Sequence, residues 1–165
     1  MIVGIGGVSR AGKTTLANLL KNRLKGKSIY IVNQDDFVKK ENLPMIKSHV
    51  DWEHPHSIDW NLMKKEILRL KSKYDVLIVE GLFAFYDRSI SKKFDIAIFI
   101  HIDHKSFIKR KHQDFRWGKE PAWFIQHIWA SYVRYGKISE DIPIVLYLNG
   151  TTPTPLEQII KLLVK

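Results

Sequence analysis

The chain of 165 residues contains no cysteine. This absence excludes disulfide bonds and thiolate metal sites, and it gives no support to an oxidising compartment. Long apolar stretches are also missing: the longest, VLIVEGLFAFY at 76–86, is interrupted by Glu80 and is too short to cross a bilayer. The first residues lack the basic segment, apolar run and cleavage site of a signal peptide. The sequence therefore predicts a cytoplasmic protein with no membrane partner.

Acidic residues are scarce, with 17 Asp and Glu against 27 Lys and Arg, which gives a formal net charge of +10. Such a charge favours an anionic partner, although a surplus of lysine can also serve solubility alone. The aromatic residues are not interleaved with the basic ones in a repeated stacking pattern. We therefore expect a phosphorylated small molecule rather than nucleic acid.

Short apolar runs alternate with amphipathic stretches along the whole chain. Strands are predicted at 2–6, 28–33, 74–81, 94–102 and 143–149. Helices are predicted at 16–25, 57–70, 104–116, 121–135 and near the C-terminus, where Thr154 and Glu157 have capping-box spacing. Residues 35–57 are polar and should be mostly loop. This alternation predicts one α/β domain over 1–165, with a doubly wound, five-stranded parallel sheet and helices on both faces.

The segment GVSRAGKT (7–14) fits the pattern G-x-x-x-x-G-K-[ST], and it lies between a predicted strand and a predicted helix. Glycines let successive backbone N–H groups point inward at phosphate oxygens, and the helix adds the positive end of its dipole. Lys13 would reach the β- and γ-phosphates, and Thr14 would offer its hydroxyl to Mg²⁺. No guanine-recognition motif is evident, which favours ATP. The predicted nucleotide-binding residues are Gly7, Ser9, Ala11, Gly12, Lys13, Thr14, Thr15 and Arg110.

Carboxylates follow two of the predicted strands. Asp35 and Asp36 come directly after the second strand, and Glu80 ends the third. Ligands of doubly wound sheets lie beyond the carboxyl ends of the strands, so these acids should approach the γ-phosphate. We predict Asp35 as the base that accepts a hydroxyl proton, with Asp36, Glu80 and Thr14 around the metal. An Asx turn at 35–36 and a solvent-facing Glu80 are the alternatives.

A basic stretch at 105–120 is predicted to form a lid. It contains Lys105, Lys109, Arg110, Lys111, Arg116 and Lys119. Arginines that close on a transferring phosphoryl group stabilise its spreading negative charge, and Gly118 would allow a hinge. On this interpretation Arg116 is catalytic, together with Lys13 and Asp35. A solvated helix face and a nucleic-acid patch are the alternatives.

Five tryptophans are many for this length. Trp60, Trp123 and Trp129 lie in predicted amphipathic helices and should be core residues. Trp52 and Trp117 lie in polar segments, where each is placed to stack on a flat substrate ring. The loop histidines His49, His54 and His56 have no helical spacing or fourth ligand, so we do not expect a metal site there.

Taken together, the segments GVSRAGKTTLA, NQDDF, WEHPHSIDW, VEGLFAF and PAWFIQHIWASY resemble the nicotinamide riboside kinases, relatives of the uridine kinases. The resemblance extends over nearly the whole chain. It implies ATP-dependent phosphorylation of the ribose 5′-hydroxyl of nicotinamide riboside, a small-molecule nucleoside, to give nicotinamide mononucleotide. We expect a monomer or homodimer. The resemblance also implies roles for individual residues: Asp35 at the 5′-hydroxyl, Glu80 near Mg²⁺, Trp52 and Trp117 on the nicotinamide ring, and Arg116 near the ribose.

The chain departs from this pattern at two places. Related kinases carry an aspartate that holds the ribose hydroxyls, whereas this chain has Glu53, with Asp51 two residues away as the alternative. Gln113 stands where a lid arginine is expected. A uridine or cytidine kinase therefore stays open, as does a non-kinase regulatory module that only binds and slowly hydrolyses nucleotide.

Overall fold

A computed structural model describes residues 1–116, 118–138, 142–143 and 145–164. The strands are β1 (Ile2–Gly7), β2 (Ile29–Asn33), β3 (Met45–Ile46), β4 (His49–Val50), β5 (Val76–Gly81), β6 (Ile96–His101) and β7 (Val145–Asn149). The helices are α1 (Lys13–Arg23), α2 (Trp60–Lys71), α3 (Arg88–Ser91), α4 (His104–His112), α5 (Ala122–Tyr135) and α6 (Leu156–Leu163). Two short 3₁₀ turns cover Gln34–Phe37 and Pro55–Ser57.

The main sheet is parallel, with the strand order β2-β5-β1-β6-β7. The central strands β1 and β5 are buried along their full length. Continuous runs of apolar residues are typical of parallel strands that are covered on both sides, which is why the strands show little alternation in sequence. Strands β3 and β4 form a separate antiparallel hairpin.

Helices cover both faces of the sheet. Neighbouring residues of one strand belong to different cores: Val3 packs with α1, α4, α5 and α6, whereas Ile2 packs with α2 and α3. The same division separates Ile78 from Leu77 on β5. The predicted doubly wound fold with a five-stranded parallel sheet is confirmed.

Several element boundaries differ from the predicted ones. The basic helix α4 ends at His112 rather than near residue 116, because the chain turns back there and the Asp114 N–H bonds to the Lys111 carbonyl. The predicted capping box is wrong: α6 begins after Pro155 and has no side-chain cap. The four-residue helix α3, capped by Asp87, was not predicted because it is too short for a periodic pattern.

The parallel register brings the ends of β1, β2 and β5 to one edge of the sheet. Glu80 of β5 is aligned with Ile5 of β1 on one side and with Asn33 of β2 on the other. The segments that follow these three strands therefore meet in one region, as expected for the carboxyl edge of a doubly wound sheet. Within the part of the chain that the structure describes, no helix is long and apolar enough to span a membrane.

Candidate active site

A cleft of about 1350 Å³ opens at this carboxyl edge. Most of the predicted site residues line it: Ser9, Gly12, Lys13, Thr14, Thr15, Asp35, Trp52, Glu53, Glu80, Arg110 and Arg116. Gly7 and Ala11 are buried and do not line the cleft. Trp117 lies outside the described residues.

The loop from Gly7 to Thr14 has the backbone geometry that its glycines predict. Gly7 (φ 144°) and Gly12 (φ 109°) both lie at positive φ, where residues with a Cβ are strained. A Cβ at Gly7 would also collide with the Ile100 carbonyl oxygen of β6. Gly12 caps α1, whose first turn begins at Lys13 and directs the positive end of the helix dipole at the cleft. The loop thus has the form of an anion-binding cup.

Lys13 lies across the mouth of this cup. Its Nζ donates a 3.1 Å hydrogen bond to the Val8 carbonyl. Burial lowers the pKa of Lys13, and the negative charges of Glu80, Asp35 and Glu53 oppose that shift. Lys13 therefore lies in the cleft beside the phosphate loop, and the nearby carboxylates offset part of the cost of burying its charge.

Thr14 and Glu80 form a pair of oxygen ligands at the inner end of the cleft. The Thr14 hydroxyl donates to Glu80 Oε1 at 2.7 Å, and Glu80 is buried (3% exposed). A hydroxyl and a carboxylate are the hard oxygen donors that Mg²⁺ prefers. The donor chemistry of this pair therefore fits the predicted metal.

Asp35 and Asp36 point in different directions. The Asn33 side chain accepts the Asp35 N–H and starts the 3₁₀ turn Gln34–Phe37. Successive residues of such a turn are about 120° apart, so Asp35 faces the cleft while Asp36 faces a separate hollow of about 260 Å³. The placement of Asp36 near the metal is therefore corrected.

The 3₁₀ turn is anchored to the end of β5. Gln34, which is buried, accepts the Phe83 N–H at 2.8 Å through its side-chain oxygen. A Cβ at Gly81 would collide with the Gln34 side chain, so glycine is needed at this position. This close packing brings Asp35 to the same end of the cleft as Glu80.

Glu53 lines the cleft, whereas Asp51 does not. Burial and the nearby charge of Asp35 raise the pKa of Glu53 to about 7. Asp51 is buried (6% exposed) and accepts a 2.7 Å hydrogen bond from His127 Nε2. Of the two acids that the sequence left open, only Glu53 is exposed to a ligand in the cleft.

The aromatic wall of the cleft differs from the prediction. Trp52 is 47% exposed and lines the cleft as expected. Trp123, predicted to be a core residue, also lines the cleft, at the first turn of α5. The Lys47 ammonium of the β3–β4 hairpin lies 4.8 Å from its ring centroid. Trp60 and Trp129 do pack against the two cores.

A buried carboxylate organises the cations of the predicted lid. Asp114 accepts two hydrogen bonds from the Arg116 guanidinium, at 2.8 and 2.7 Å. Arg10 of the phosphate loop lies 3.7 Å from the same carboxylate, and Lys111 lies 3.9 Å away. The hydrogen bonds from Arg116, together with the charges of Arg116 and Arg10, hold the pKa of Asp114 well below its usual range. Asp114 was not predicted as a site residue, because a single acid in a basic run gives no signal.

Arg110 connects α4 to two other parts of the site. Its guanidinium donates to the Arg10 carbonyl at 3.0 Å and to the Gly150 carbonyl at 2.7 Å. The first contact fixes the phosphate loop at Arg10, which itself adopts a left-handed conformation (φ 65°). Lys111 is buried and pairs with Glu120 of the cleft at 2.5 Å. The segment is therefore held onto the site by the hydrogen bonds of Arg110 and by the ion pair of Asp114 with Arg10.

The loop histidines have other partners in the structure. The rings of His54 and His56 are 4.7 Å apart, and His49 packs on Trp123. Among the described residues, no group of three His, Asp or Glu side chains is arranged to hold a metal ion.

Comparisons with known proteins agree with this geometry at the level of fold. The profile of the phosphoribulokinase/uridine kinase family matches residues 69–116. A possible uridine kinase from Bacillus stearothermophilus has a solved structure that aligns with a TM-score of 0.57 at 18% identity, over 88% of each chain. An unliganded sugar kinase from Janibacter sp. aligns with a TM-score of 0.59 at 17% identity, over 97% of this chain and 90% of that one. The fold is thus shared with solved kinases.

Sequence relatives include two kinds of nucleoside kinase. A uridine kinase from Lactiplantibacillus plantarum is 30% identical, over 68% of this chain and 66% of its own length. A nicotinamide riboside kinase from Saccharomyces cerevisiae is 24% identical, over 80% of this chain and 75% of its own length. The chain covers 56% of a uridine-cytidine kinase from Dictyostelium discoideum, at 27% identity. These relatives are all nucleoside kinases by name, and they differ in the acceptor.

Proposed function

We propose that this chain is a nucleoside kinase, which transfers the γ-phosphoryl group of ATP to the ribose 5′-hydroxyl of nicotinamide riboside and yields nicotinamide mononucleotide. The observation that carries the proposal is the composition of a single cleft. The cleft is lined by four parts: the phosphate loop, an oxygen pair suited to Mg²⁺, the exposed carboxylate of Asp35 and an aromatic wall. Phosphoryl transfer needs these parts to face one another.

The nucleotide end is formed by the phosphate loop and the cations around it. Backbone N–H groups of the loop, the N-terminus of α1 and Lys13 would bind the β- and γ-phosphates. Thr14 and Glu80 would hold Mg²⁺, which neutralises charge on the phosphate oxygens when bound. Arg10, Arg110 and Arg116 add positive charge on the lid side, which stabilises the charge that develops during transfer.

Asp35 is the proposed base. The 5′-hydroxyl oxygen forms a bond to the γ-phosphorus as the bond from that phosphorus to the β-phosphate oxygen breaks. The electron pair of the broken bond leaves with ADP, and the hydroxyl proton passes to the Asp35 carboxylate and then to solvent. Asp35 is exposed in the cleft, so it has access to both acceptor and water.

The acceptor end suits a flat, cationic ring. Trp52 and Trp123 line the same cleft, and both offer aromatic faces to which a pyridinium ring is attracted. Asp35 adds negative charge nearby, and Glu53 adds more as the pH rises through its pKa of about 7. In this proposal Trp123 takes the stacking role that the sequence suggested for Trp117, and Glu53 rather than Asp51 holds the ribose hydroxyls.

Uridine or cytidine is the second candidate acceptor. The observation that favours it is the 30% identity to a uridine kinase, which exceeds the 24% identity to the nicotinamide riboside kinase. A neutral pyrimidine would also stack on tryptophan but would gain less from the carboxylates. The two candidates therefore differ in charge, which an acceptor panel can separate.

The test is ATP turnover by the purified chain with nicotinamide riboside, nicotinic acid riboside, uridine and cytidine, with products identified by mass spectrometry. We expect the highest kcat/KM with nicotinamide riboside. Phosphorylation of uridine or cytidine alone would show that a pyrimidine nucleoside is the acceptor. ATP hydrolysis at a rate that no nucleoside changes would support a regulatory module instead.

Trp123→Ala should raise the KM for the acceptor about tenfold, since stacking contributes about 1–3 kcal/mol per base. The exposed aromatic Tyr147 on β7 provides the control Tyr147→Ala.

A further inference from the structure

Helix α5 carries three polar side chains at intervals of four residues: His127, Ser131 and Tyr135. Residues spaced by four lie on one face of a helix, one turn above the other. Each of the three side chains contacts the same short segment of the chain, residues 51–54, so this face of the helix is packed against protein.

The three contacts follow one another in register along that segment. His127 Nε2 lies 2.7 Å from Asp51 Oδ1. The Ser131 hydroxyl donates to the Glu53 carbonyl, and the Tyr135 hydroxyl lies 3.3 Å from His54 Nε2. The segment between these anchors contains Trp52 and Glu53, the two residues that reach into the cleft. Helix α5 therefore supports the acceptor side of the cleft from behind.

The His127 contact has the greatest structural consequence of the three. A carboxylate only accepts hydrogen bonds, so the His127 Nε2 carries the shared proton. The same Asp51 oxygen accepts the Glu53 N–H at 3.1 Å, and the Asp51 N–H bonds to the Pro44 carbonyl at 2.7 Å. Because Asp51 is buried, loss of His127 would leave its carboxylate poorly compensated and free to rearrange.

The same helix also contributes aromatic residues directly to the cleft. Trp123 and Phe124 line the cleft from the first turn of α5, one turn before His127. Helix α5 thus bears Trp123 directly and holds the segment that carries Trp52 through the contact of His127 with Asp51. The position of Trp52 relative to Trp123 therefore depends in part on this contact.

We propose that His127 is a positioning residue that acts through Asp51 to hold Trp52 and Glu53 in the cleft alongside Trp123, and so determines which acceptor rings the cleft binds. This inference rests on the proposed nucleoside kinase function. His127 itself touches no reacting atom, since it does not line the cleft.

The kinetic test compares His127→Ala and His127→Gln with the wild type. His127→Ala should raise the KM for the preferred nucleoside about tenfold, because the segment that carries Trp52 and Glu53 loses its hydrogen-bonded support, while the KM for ATP stays within about twofold. His127→Gln, which retains a donor, should restore most of the loss. The control is His104→Ala, at an exposed histidine of α4 that bonds to Gln126. Equal increases in both KM values, or no rescue by Gln, would overturn the proposal.

A second measurement does not depend on the reaction. Amide hydrogen exchange of residues 51–54 should become about tenfold faster in His127→Ala and stay unchanged in His104→Ala. If the wild type phosphorylates no nucleoside but exchange in this segment responds as expected, the proposed function fails and the positioning role of His127 stands. Unchanged exchange at 51–54 would refute the positioning role whatever the activity.

Discussion

The Thr14 hydroxyl donates a 2.7 Å hydrogen bond to Glu80 Oε1, although 66 positions separate the two residues in the chain. The parallel pairing of β1 with β5 explains the contact, because it aligns Glu80 with the end of the strand that leads into the phosphate loop. The hydroxyl and the carboxylate are thereby held side by side at the inner end of the cleft. A divalent cation bound there would lie next to the phosphates of a nucleotide in the loop.

Replacing Glu80 by Gln should weaken the metal site without removing the hydrogen-bond acceptor of Thr14. We expect a decrease in kcat of about a hundredfold, and a higher Mg²⁺ concentration for half-maximal rate, because one carboxylate ligand loses its charge. The measurement is turnover as a function of Mg²⁺ concentration. Glu66→Gln, on the exposed side of α2 where Glu66 pairs with Arg69, is the control. An unchanged Mg²⁺ dependence in Glu80→Gln would remove Glu80 from the metal site.

Asp35 and its neighbour Asp36 provide a matched pair of variants. Asp35→Asn should lower kcat about 10²- to 10⁴-fold, the usual contribution of a general base, while ATP binding is retained. Asp36→Asn should stay near wild-type activity because Asp36 lies outside the cleft. Single-turnover kinetics and nucleotide titration separate these effects. Comparable losses in the two variants would show that Asp35 has no special role in proton transfer.

Glu53 should make stability depend on pH in a window set by its raised pKa. The folded state holds the Glu53 proton up to about pH 7, whereas the ordinary pKa of 4.5 applies to the unfolded chain. The folded state therefore binds more protons between pH 4.5 and about 7, and the contribution of this group to the free energy of unfolding falls as the pH rises through that window.

Glu53→Gln should remove this contribution. We expect the free energy of unfolding of the variant to fall less steeply than that of the wild type from pH 5 to pH 7. The difference in stability, variant minus wild type, should therefore be more favourable to the variant at pH 8 than at pH 5. Urea titrations at several pH values measure the difference. Glu66→Gln is again the control, since the Arg69 hydrogen bond lowers the pKa of Glu66 and moves its titration below this window. Parallel pH profiles for Glu53→Gln and wild type would contradict the raised pKa.

Asp114 and Arg116 should act as a coupled pair. Asp114→Asn should lower kcat about tenfold, because Arg116 loses the carboxylate that holds its guanidinium at the cleft. Arg116→Ala should cause a loss of similar or greater size. The double variant should lose less than the sum of the two, with a coupling free energy of about 0.5–3 kcal/mol. Strict additivity would show that the two side chains contribute independently.

The sequence by itself determined the fold class and the local chemistry of the nucleotide end. Alternating apolar runs predicted the parallel sheet, and GVSRAGKT predicted a glycine loop before a helix, because both depend on spacing along the chain. Asp35 and Glu80 were also predicted to lie together, since the carboxyl ends of parallel strands share one edge. These inferences use only local pattern and a general rule of sheet topology.

Tertiary structure alone decided which side of each element faces the cleft. Asp36 differs from Asp35 only by the direction in which a tight turn points it, and Trp123 is a cleft residue only because the first turn of α5 extends beyond the core. Asp51 bonds to His127 and does not line the cleft. Asp114 contacts cations of two separate segments, Arg10 and Arg116. Such contacts join residues far apart in the chain, and their geometry follows from packing, which spacing in a sequence does not encode.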